Sequence, residues 1–241
     1  MSRDFITKHY FYKVPNDLIL LPREGGVRQI CVRYLIDEVR GVSDLSMTYL
    51  KYIMDNCGWK PRNGIDGINN ELKGILSELI SNGSLVLGEH CEFPPHTLTA
   101  GICFKVDPVM FDSINNYTML YKEEFDRIVR NNKDNPDREG MLAMYLYVKL
   151  NSNSDTSKND KTGFFQSYNT ISSVTGFSKE KISKLLKLLV SHGLLQKYTV
   201  KPKRNGDSEQ HFPNVYIPKL NRAPDTLEQI YRNTLEVMKG T

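Results

Sequence analysis

Aliphatic residues recur at the spacing of an amphipathic helix in several parts of the chain, and one such pattern occurs twice. They occupy positions i, i+3, i+4, i+7 and i+8 in residues 72–85 and again, 110 residues later, in residues 182–195. This stripe predicts a helix with one buried face in each segment. Each helix is expected to end at a glycine, Gly83 or Gly193, and to continue into a short strand. The repeat indicates two copies of one structural unit.

The residues upstream of each repeated helix support this interpretation. A shorter helix pattern comes first in each copy and closes on a glycine and an aromatic residue, Gly58-Trp59 in one and Gly176-Phe177 in the other. A longer helix is predicted before that, around 27–40 in the first copy and around 139–150 in the second. Both copies therefore have the order long helix, short helix, glycine turn, amphipathic helix.

The two copies differ in their loops. The first has an eight-residue insertion that contains residues 60–64. The second has a polar linker, 151–162, without a single apolar residue, and we expect this linker to be mobile. After its amphipathic helix, the second copy has strand-like segments at 198–201 and 214–217. A long basic loop with an Asn205-Gly206 turn signal joins them.

Three helices followed by two strands is the order of a winged helix-turn-helix. We therefore expect a mainly α fold with small β wings (α+β), built as two tandem winged helix-turn-helix domains. The predicted boundaries are 1–108 for the first domain and 109–220 for the second. Residues 221–241 carry a further amphipathic pattern, which predicts a C-terminal helix. Its apolar face either docks on its own domain or contacts a second copy or another partner.

The charge is unevenly distributed. The net formal charge is +4, yet residues 161–220 alone hold 10 basic and 3 acidic side chains, a surplus of seven positive charges. Such a concentration points to a polyanionic partner for this segment. The alternative is a solvated, lysine-rich helix face.

The residues with the right chemistry for double-stranded DNA lie in the second copy. Ammonium, hydroxyl and amide groups on and before the amphipathic helix suit phosphate and base-edge contacts in the major groove, and the basic loop suits the minor groove or the backbone. The candidates in the two helices and their turn are Tyr168, Asn169, Ser178, Lys179, Lys181, Ser183, Lys184 and Lys187. The candidates in the loop are Lys201, Lys203 and Arg204.

The corresponding helix of the first copy is acidic rather than basic. With Asp66, Glu71, Lys73 and Glu78 it has a net charge of −2, which phosphate would repel. Three roles remain open for this copy: dimerisation, which we favour, docking of a protein partner, or DNA binding through the inserted loop. Lys60 and Arg62 are the weaker DNA-binding candidates of that loop.

The chain resembles the RepA-type replication initiators of plasmids and phages from low-GC bacteria, and the related N-terminal domain of DnaD-type primosomal proteins. The residues that carry the resemblance are 11–18, similar to the strand-and-turn entry of these proteins, and 163–195, similar to their second and third helices. The resemblance implies binding of double-stranded DNA at repeated origin sites, with recruitment of replisome proteins, and we expect a homodimer.

Two other functions fit the same surface. A winged-helix transcription regulator of a mobile element or operon would bind one or two inverted sites at a promoter. A protein-only adaptor would use both units as scaffolds and bind DNA weakly or not at all.

Catalytic and metal-binding patterns are missing from the sequence. It contains no G-x-x-x-x-G-K-[ST] phosphate loop, no H-x-H pair, no H-E-x-x-H and no G-x-S-x-G. Residues His90, Cys91, His96 and Cys103 cluster along the chain, but their spacing fits no usual zinc site. We therefore expect a non-enzymatic protein without metal or cofactor. A polar N-terminus and no long apolar stretch predict a cytoplasmic protein without a membrane segment.

Overall fold

The computed structural model shows a mixed α+β fold, with small antiparallel β-sheets of two or three strands. The chain divides into two compact units: unit 1 comprises residues 1–18 and 27–138, and unit 2 comprises residues 19–26 and 139–241. The structure describes residues 11–41, 43–64, 66–107, 116–152, 161–200, 203–205, 208–210, 213–220 and 222–240. In this part of the chain no helix combines the length and the apolar character needed to span a membrane.

The division between the units differs from the predicted boundary at residue 108. The segment that follows belongs to unit 1, because strand β5 (Tyr117–Tyr121) pairs antiparallel along its whole length with β1 (Phe11–Pro15). Residues 19–26 belong to unit 2, although they lie early in the chain. The hydrophobic pattern predicts neither difference, because local periodicity carries no information about contacts between residues far apart in the sequence.

Unit 1 is built around helix α2 (Val27–Glu38), which is buried on nearly all sides. Its elements are β1, α1 (Asn16–Ile19), α2, β2 (Leu45–Thr48), α3 (Leu50–Cys57), α4 (Ile68–Ser81), β3 (Leu85–Leu87), β4 (Ile102–Val106), β5, α5 (Lys122–Ile128) and a 3-10 turn (Arg130–Asn132). Its three-stranded sheet has the order β2-β4-β3.

Unit 2 is built in the same way around α6 (Arg138–Leu150), in which every residue from Gly140 to Lys149 is buried. The remaining elements are α7 (Tyr168–Thr175), α8 (Lys179–Ser191), β6 (Leu195–Tyr198), β7 (Lys203–Asn205), β8 (Ser208–Gln210), β9 (Val215–Pro218) and α9 (Pro224–Gly240). Strand β6 pairs with β9, and Tyr216 of β9 also forms two 2.8 Å backbone hydrogen bonds with Phe164.

The repeat predicted from the sequence is confirmed at the level of helices and burial. Helices α4 and α8 bury the same four repeat positions, including the leucine of the strand that follows: Leu72, Leu76, Leu79 and Leu85, and Ile182, Leu186, Leu189 and Leu195. The glycines after both helices have a left-handed backbone, with φ of 77° at Gly83 and 70° at Gly193.

The strands of unit 2 differ from the prediction in two respects. The strand expected directly after the glycine turn is present at Leu195–Tyr198, and this strand, rather than 198–201, pairs with the last strand of the unit because Leu194 and Leu195 enter the core there. The predicted basic loop contains a second hairpin, in which β7 pairs with β8. The mobile linker predicted at 151–162 falls mostly on residues 153–160, which lie outside the described residues.

Helix α9 docks on its own unit. Its residues Leu227, Ile230 and Met238 form one apolar cluster with Val215 and Ile217 of β9. The rings of Tyr198 and Tyr231 stack at 4.3 Å beside this cluster. Of the two roles predicted for the C-terminal helix, the packing accounts for its apolar face by docking within unit 2.

Replacing Thr234 with valine should destabilise unit 2 by about 1–3 kcal/mol, because a buried backbone N–H would lose its acceptor. The fully buried Thr234 hydroxyl accepts a hydrogen bond from the Gly163 N–H at 2.8 Å and donates one to the Ile230 carbonyl at 2.6 Å. Chemical denaturation measures the change. The same substitution at the exposed Thr226, in the first turn of α9, is the control and should have almost no effect.

Candidate nucleic-acid interface

Helices α7 and α8 meet in a tight corner at residues 176–178. Gly176, with φ of 69°, ends α7, and the Ser172 hydroxyl donates a 2.8 Å hydrogen bond to the Phe177 carbonyl. The Phe177 side chain is buried in the corner. Ser178 caps α8, since its Oγ accepts a 3.2 Å hydrogen bond from the Lys181 N–H. These contacts fix the direction of α8, and the glycine turn matches the sequence prediction.

One face of α8 carries a row of cationic side chains. The opposite face is buried through Ile182, Leu185 and Leu189. Leu185 approaches the central helix closely, because its Cδ atoms lie 3.2 and 3.3 Å from the position that a Cβ on Gly140 would occupy. The predicted residues that line a shallow depression on the solvent side of α8 are Lys179, Ser183, Lys184 and Lys187.

An acidic residue, Glu180, lies in the same depression and is not among the residues predicted from the sequence. The pKa of Glu180 lies below its ordinary value, because the carboxylate accepts hydrogen bonds from its own backbone N–H and from the Ser178 hydroxyl. Glu180 is therefore negatively charged at neutral pH. A carboxylate in the first turn stabilises a helix through its dipole, which is the signal that could have identified it.

The other predicted residues of the helix pair lie beside this row. Asn169 is exposed in the first turn of α7. Tyr168, the first residue of α7, is half-buried, and its hydroxyl lies 3.5 Å from the Tyr216 hydroxyl on β9. Burial, together with the hydrogen bond between its hydroxyl and that of Tyr168, raises the pKa of Tyr216. Lys181 is half-buried and does not line the depression.

The predicted basic loop is only partly described. Lys203 and Arg204 lie in β7, where their backbones pair with Gln210 and Glu209 of β8. Lys201 lies outside the described residues. Strand β6 adds an exposed cation, Lys197, which is not among the residues predicted from the sequence.

The equivalent helix of unit 1 has a different surface. Helix α4 begins at Ile68, so Asp66 precedes it, and the net charge from Glu71, Lys73 and Glu78 is −1 rather than the predicted −2. Arg28 forms an ion pair with Glu71. The acidic character of this helix remains, and the face carries no row of cations like that of α8.

The weaker candidates of the inserted loop do not join α4 in one cationic surface. Lys60 and Arg62 are exposed. The Arg62 guanidinium donates a 2.8 Å hydrogen bond to the Asp66 carbonyl of the same loop, and the Arg62 backbone N–H donates to Asn69 at 3.3 Å. These bonds stabilise the loop itself.

A network of ion pairs in unit 1 connects α2 with α5 and the turn that follows. Arg130 contacts Glu38 and Asp126, each at 2.5 Å, and Lys122 contacts Glu38 at 2.7 Å. Burial alone would raise the pKa of Glu38, but hydrogen bonds from Arg130 and Lys122 outweigh it and lower the pKa. The network is structural, since it joins α2 to α5 and to the turn Arg130–Asn132 that follows α5.

Because the pKa of Glu38 is lower in the folded chain than its ordinary value of 4.5, this group stabilises unit 1 above that pH and loses its contribution as the pH falls below it. The Glu38→Gln variant should melt earlier than the wild type at pH ~7, and the difference should shrink towards pH ~3. Melting curves across this range measure it. Glu78→Gln, at an exposed position of α4, should show no such convergence.

The cluster of His90, Cys91, His96 and Cys103 forms local contacts. Cys91 Sγ accepts a 3.4 Å hydrogen bond from the Cys103 N–H, and His96 Nε2 lies 2.5 Å from the Glu92 carboxylate. Within the described residues, no group of three or more His, Cys, Asp and Glu side chains is placed to hold a metal ion.

No protein-family model matches the sequence, and no curated protein shows significant similarity to it.

Proposed function

We propose that the protein binds double-stranded DNA sequence-specifically, and that unit 2 is a winged helix-turn-helix with α8 as its recognition helix. The observation that carries this proposal is the row of Lys179, Lys184 and Lys187 with Ser183 on the solvent face of α8, next to a rigid two-helix corner. A helix with its side chains is about 10–12 Å wide and fits a major groove about 12 Å wide. In this arrangement the ammonium groups contact phosphates and guanine acceptors, and the Ser183 hydroxyl contacts a base edge.

The sheet topology supports the winged interpretation of both units. In unit 1 the strand before α3 lies at one side of a sheet whose order is β2-β4-β3. In unit 2 the bridging residue Phe164, just before α7, lies beside β9, which pairs on its other edge with β6. In both units, the strand or bridging residue that precedes the two helices therefore pairs with the last strand that follows them. The hairpin of β7 and β8 then forms the wing, with Lys203 and Arg204 near the DNA backbone or minor groove.

The proposed role of unit 1 is homodimerisation. Strand β2 has an inverted pattern, since Ser46 and Thr48 are buried while Leu45 and Met47 are exposed by 47% and 73%. Through β4, Leu45 lies in register with Val86 of β3, which is 54% exposed. The exposed side chains of β2 and β3 on this face are apolar, although the exposed Lys105 of β4 lies between Leu45 and Val86. Exposed apolar side chains that lie together favour coverage by another protein surface. A second copy provides such a surface and would present two α8 helices to two half-sites.

The biological role that we propose is initiation of plasmid or phage replication, on the strength of the resemblance of residues 11–18 and 163–195 to such initiators. The protein would act by binding tandem origin repeats and recruiting replisome proteins, without catalysis or cofactor. Transcription regulation is the alternative, and it uses the same surface on inverted promoter sites. Selection of bound sequences from random DNA separates the two, because tandem sites indicate an initiator and inverted sites a regulator.

Replacing Lys184 and Lys187 with alanine should weaken binding to random-sequence DNA and flatten its salt dependence. Each lost phosphate contact lowers the slope of log K against log salt by about 0.9, so the double variant should lose about 1.8. Fluorescence anisotropy across a salt series measures this. Replacing Lys60 and Arg62 is the matched control and should leave the slope almost unchanged. The opposite result would assign DNA binding to unit 1 and refute the proposal.

Glu180→Gln should strengthen DNA binding, because it removes the carboxylate from the cationic depression. One like charge fewer near the phosphates is expected to raise affinity by about threefold at ~0.1 M salt, where charges about 10 Å apart are only partly screened. The same titration measures it. Glu236→Gln, at an exposed position of α9, should have no effect. Weaker binding by Glu180→Gln would mean that α8 does not face the DNA.

Met47→Lys should convert the dimer to a monomer, because it replaces the most exposed apolar side chain of β2 with a second charge on the face that already holds Lys105. Light scattering after size-exclusion chromatography measures the mass. Val237→Lys changes an exposed apolar residue of α9 and should leave the dimer intact. A dimer that persists in Met47→Lys would contradict this role of unit 1.

A further inference from the structure

A turn from early in the chain packs on the corner between α7 and α8. This segment, residues 19–26, belongs to unit 2, and Ile19 and Gly26 at the two ends of the segment are buried. At its centre, the Arg23 backbone N–H donates a 2.6 Å hydrogen bond to the carbonyl of Thr175, the last residue of α7. Atoms of Pro22 and Arg23 lie 3.6 and 3.7 Å from where a Cβ on Gly176 would be. The turn therefore packs directly against the corner that precedes α8.

Arg23 has an unfavourable backbone conformation in this turn. Its φ is 55°, and the turn closes with a 3.1 Å hydrogen bond from the Gly25 N–H to the Pro22 carbonyl. The second residue of a turn with positive φ is usually glycine, asparagine or aspartate, because a long side chain is strained there. Strained residues of this kind are held in place by surrounding contacts and cluster at functional sites. Arginine at this position thus points to a function of its side chain.

The Arg23 side chain is exposed and lies at the beginning of the recognition helix. Its Nε donates a 3.4 Å hydrogen bond to the Gly176 carbonyl, which orients the guanidinium. Gly176 is three residues before Lys179, a distance of at most about 10 Å along the chain. The neighbouring Glu24 carboxylate packs against Gly140 of α6, 3.1 Å from where a Cβ would be. The guanidinium therefore extends the cationic row of α8 beyond its N-terminus.

We propose that Arg23 contacts a DNA backbone phosphate at the edge of the major groove and belongs to the DNA interface. This inference rests on the proposed function. In helix-turn-helix complexes the N-terminal residues of the recognition helix reach the bases, so the corner before that helix lies next to the backbone. A guanidinium has five N–H donors in a planar fork that matches a phosphate. With one donor used on Gly176, the others are sufficient to hold one phosphate.

The test compares Arg23→Gly, Arg23→Lys and Arg232→Gln by DNA titration across a salt series with the full chain. Arg23→Gly removes the cation and relieves the backbone strain, so its melting temperature should not fall. Its salt slope should decrease by about 0.9, which corresponds to roughly fivefold weaker binding at 0.15 M salt. Arg23→Lys keeps the charge and should retain the wild-type slope. Arg232→Gln removes an exposed arginine of α9 in the same unit and should bind like the wild type.

An unchanged slope and affinity in Arg23→Gly, with a wild type that binds DNA, would overturn this inference and leave the proposed function intact. An equal loss in Arg232→Gln would also overturn it, since the effect would then reflect net charge alone. A wild type without salt-dependent binding would refute the proposed function and the assignment of Arg23 together.

Discussion

The burial of one helix on almost every side is the constraint on which each unit depends. In unit 2 that helix is α6, which has ten consecutive buried residues between Gly140 and Lys149. A helix of this kind must be surrounded, so the neighbouring elements direct their apolar faces towards it. Helix α8 does so through Leu185, and the absence of a side chain at Gly140 permits the close approach. The polar face of α8 is then directed to solvent by the same packing that stabilises the core.

The two units share the same arrangement of helices, but the exposed faces of α4 and α8 carry opposite charges. Helices α4 and α8 bury equivalent positions, yet the exposed side of α4 carries Glu71 and Glu78 whereas that of α8 carries Lys184 and Lys187. Since the buried face determines the fold and the exposed face determines the partner, a duplicated fold permits divergent surfaces. In unit 1 the exposed apolar side chains around Met47, rather than a cationic helix, form the surface that we propose for binding.

Local patterns in the sequence predict the helices and their ends well, because these depend on side-chain periodicity and on glycines such as Gly176 and Gly193. The charge count likewise predicts the cationic face of α8 from Lys179 to Lys187. What depends on distant residues is not predictable in this way. The pairing of β1 with β5 moved the boundary between the units, and the packing of Arg23 on Thr175 brought an early turn to the candidate site. Neither contact has a local signal, because strand partners and turn docking are decided by the whole fold.

Photo-crosslinking at equivalent positions of the two repeats tests the central claim most directly. A photoreactive amino acid at position 187 of α8 or at position 77 of α4 replaces one exposed residue in the same place of each repeat. With random-sequence DNA at low salt, the variant at Lys187 should form a covalent protein–DNA adduct and the variant at Ser77 should not. An adduct that forms from position 77 and is absent from position 187 would contradict the assignment of DNA binding to unit 2.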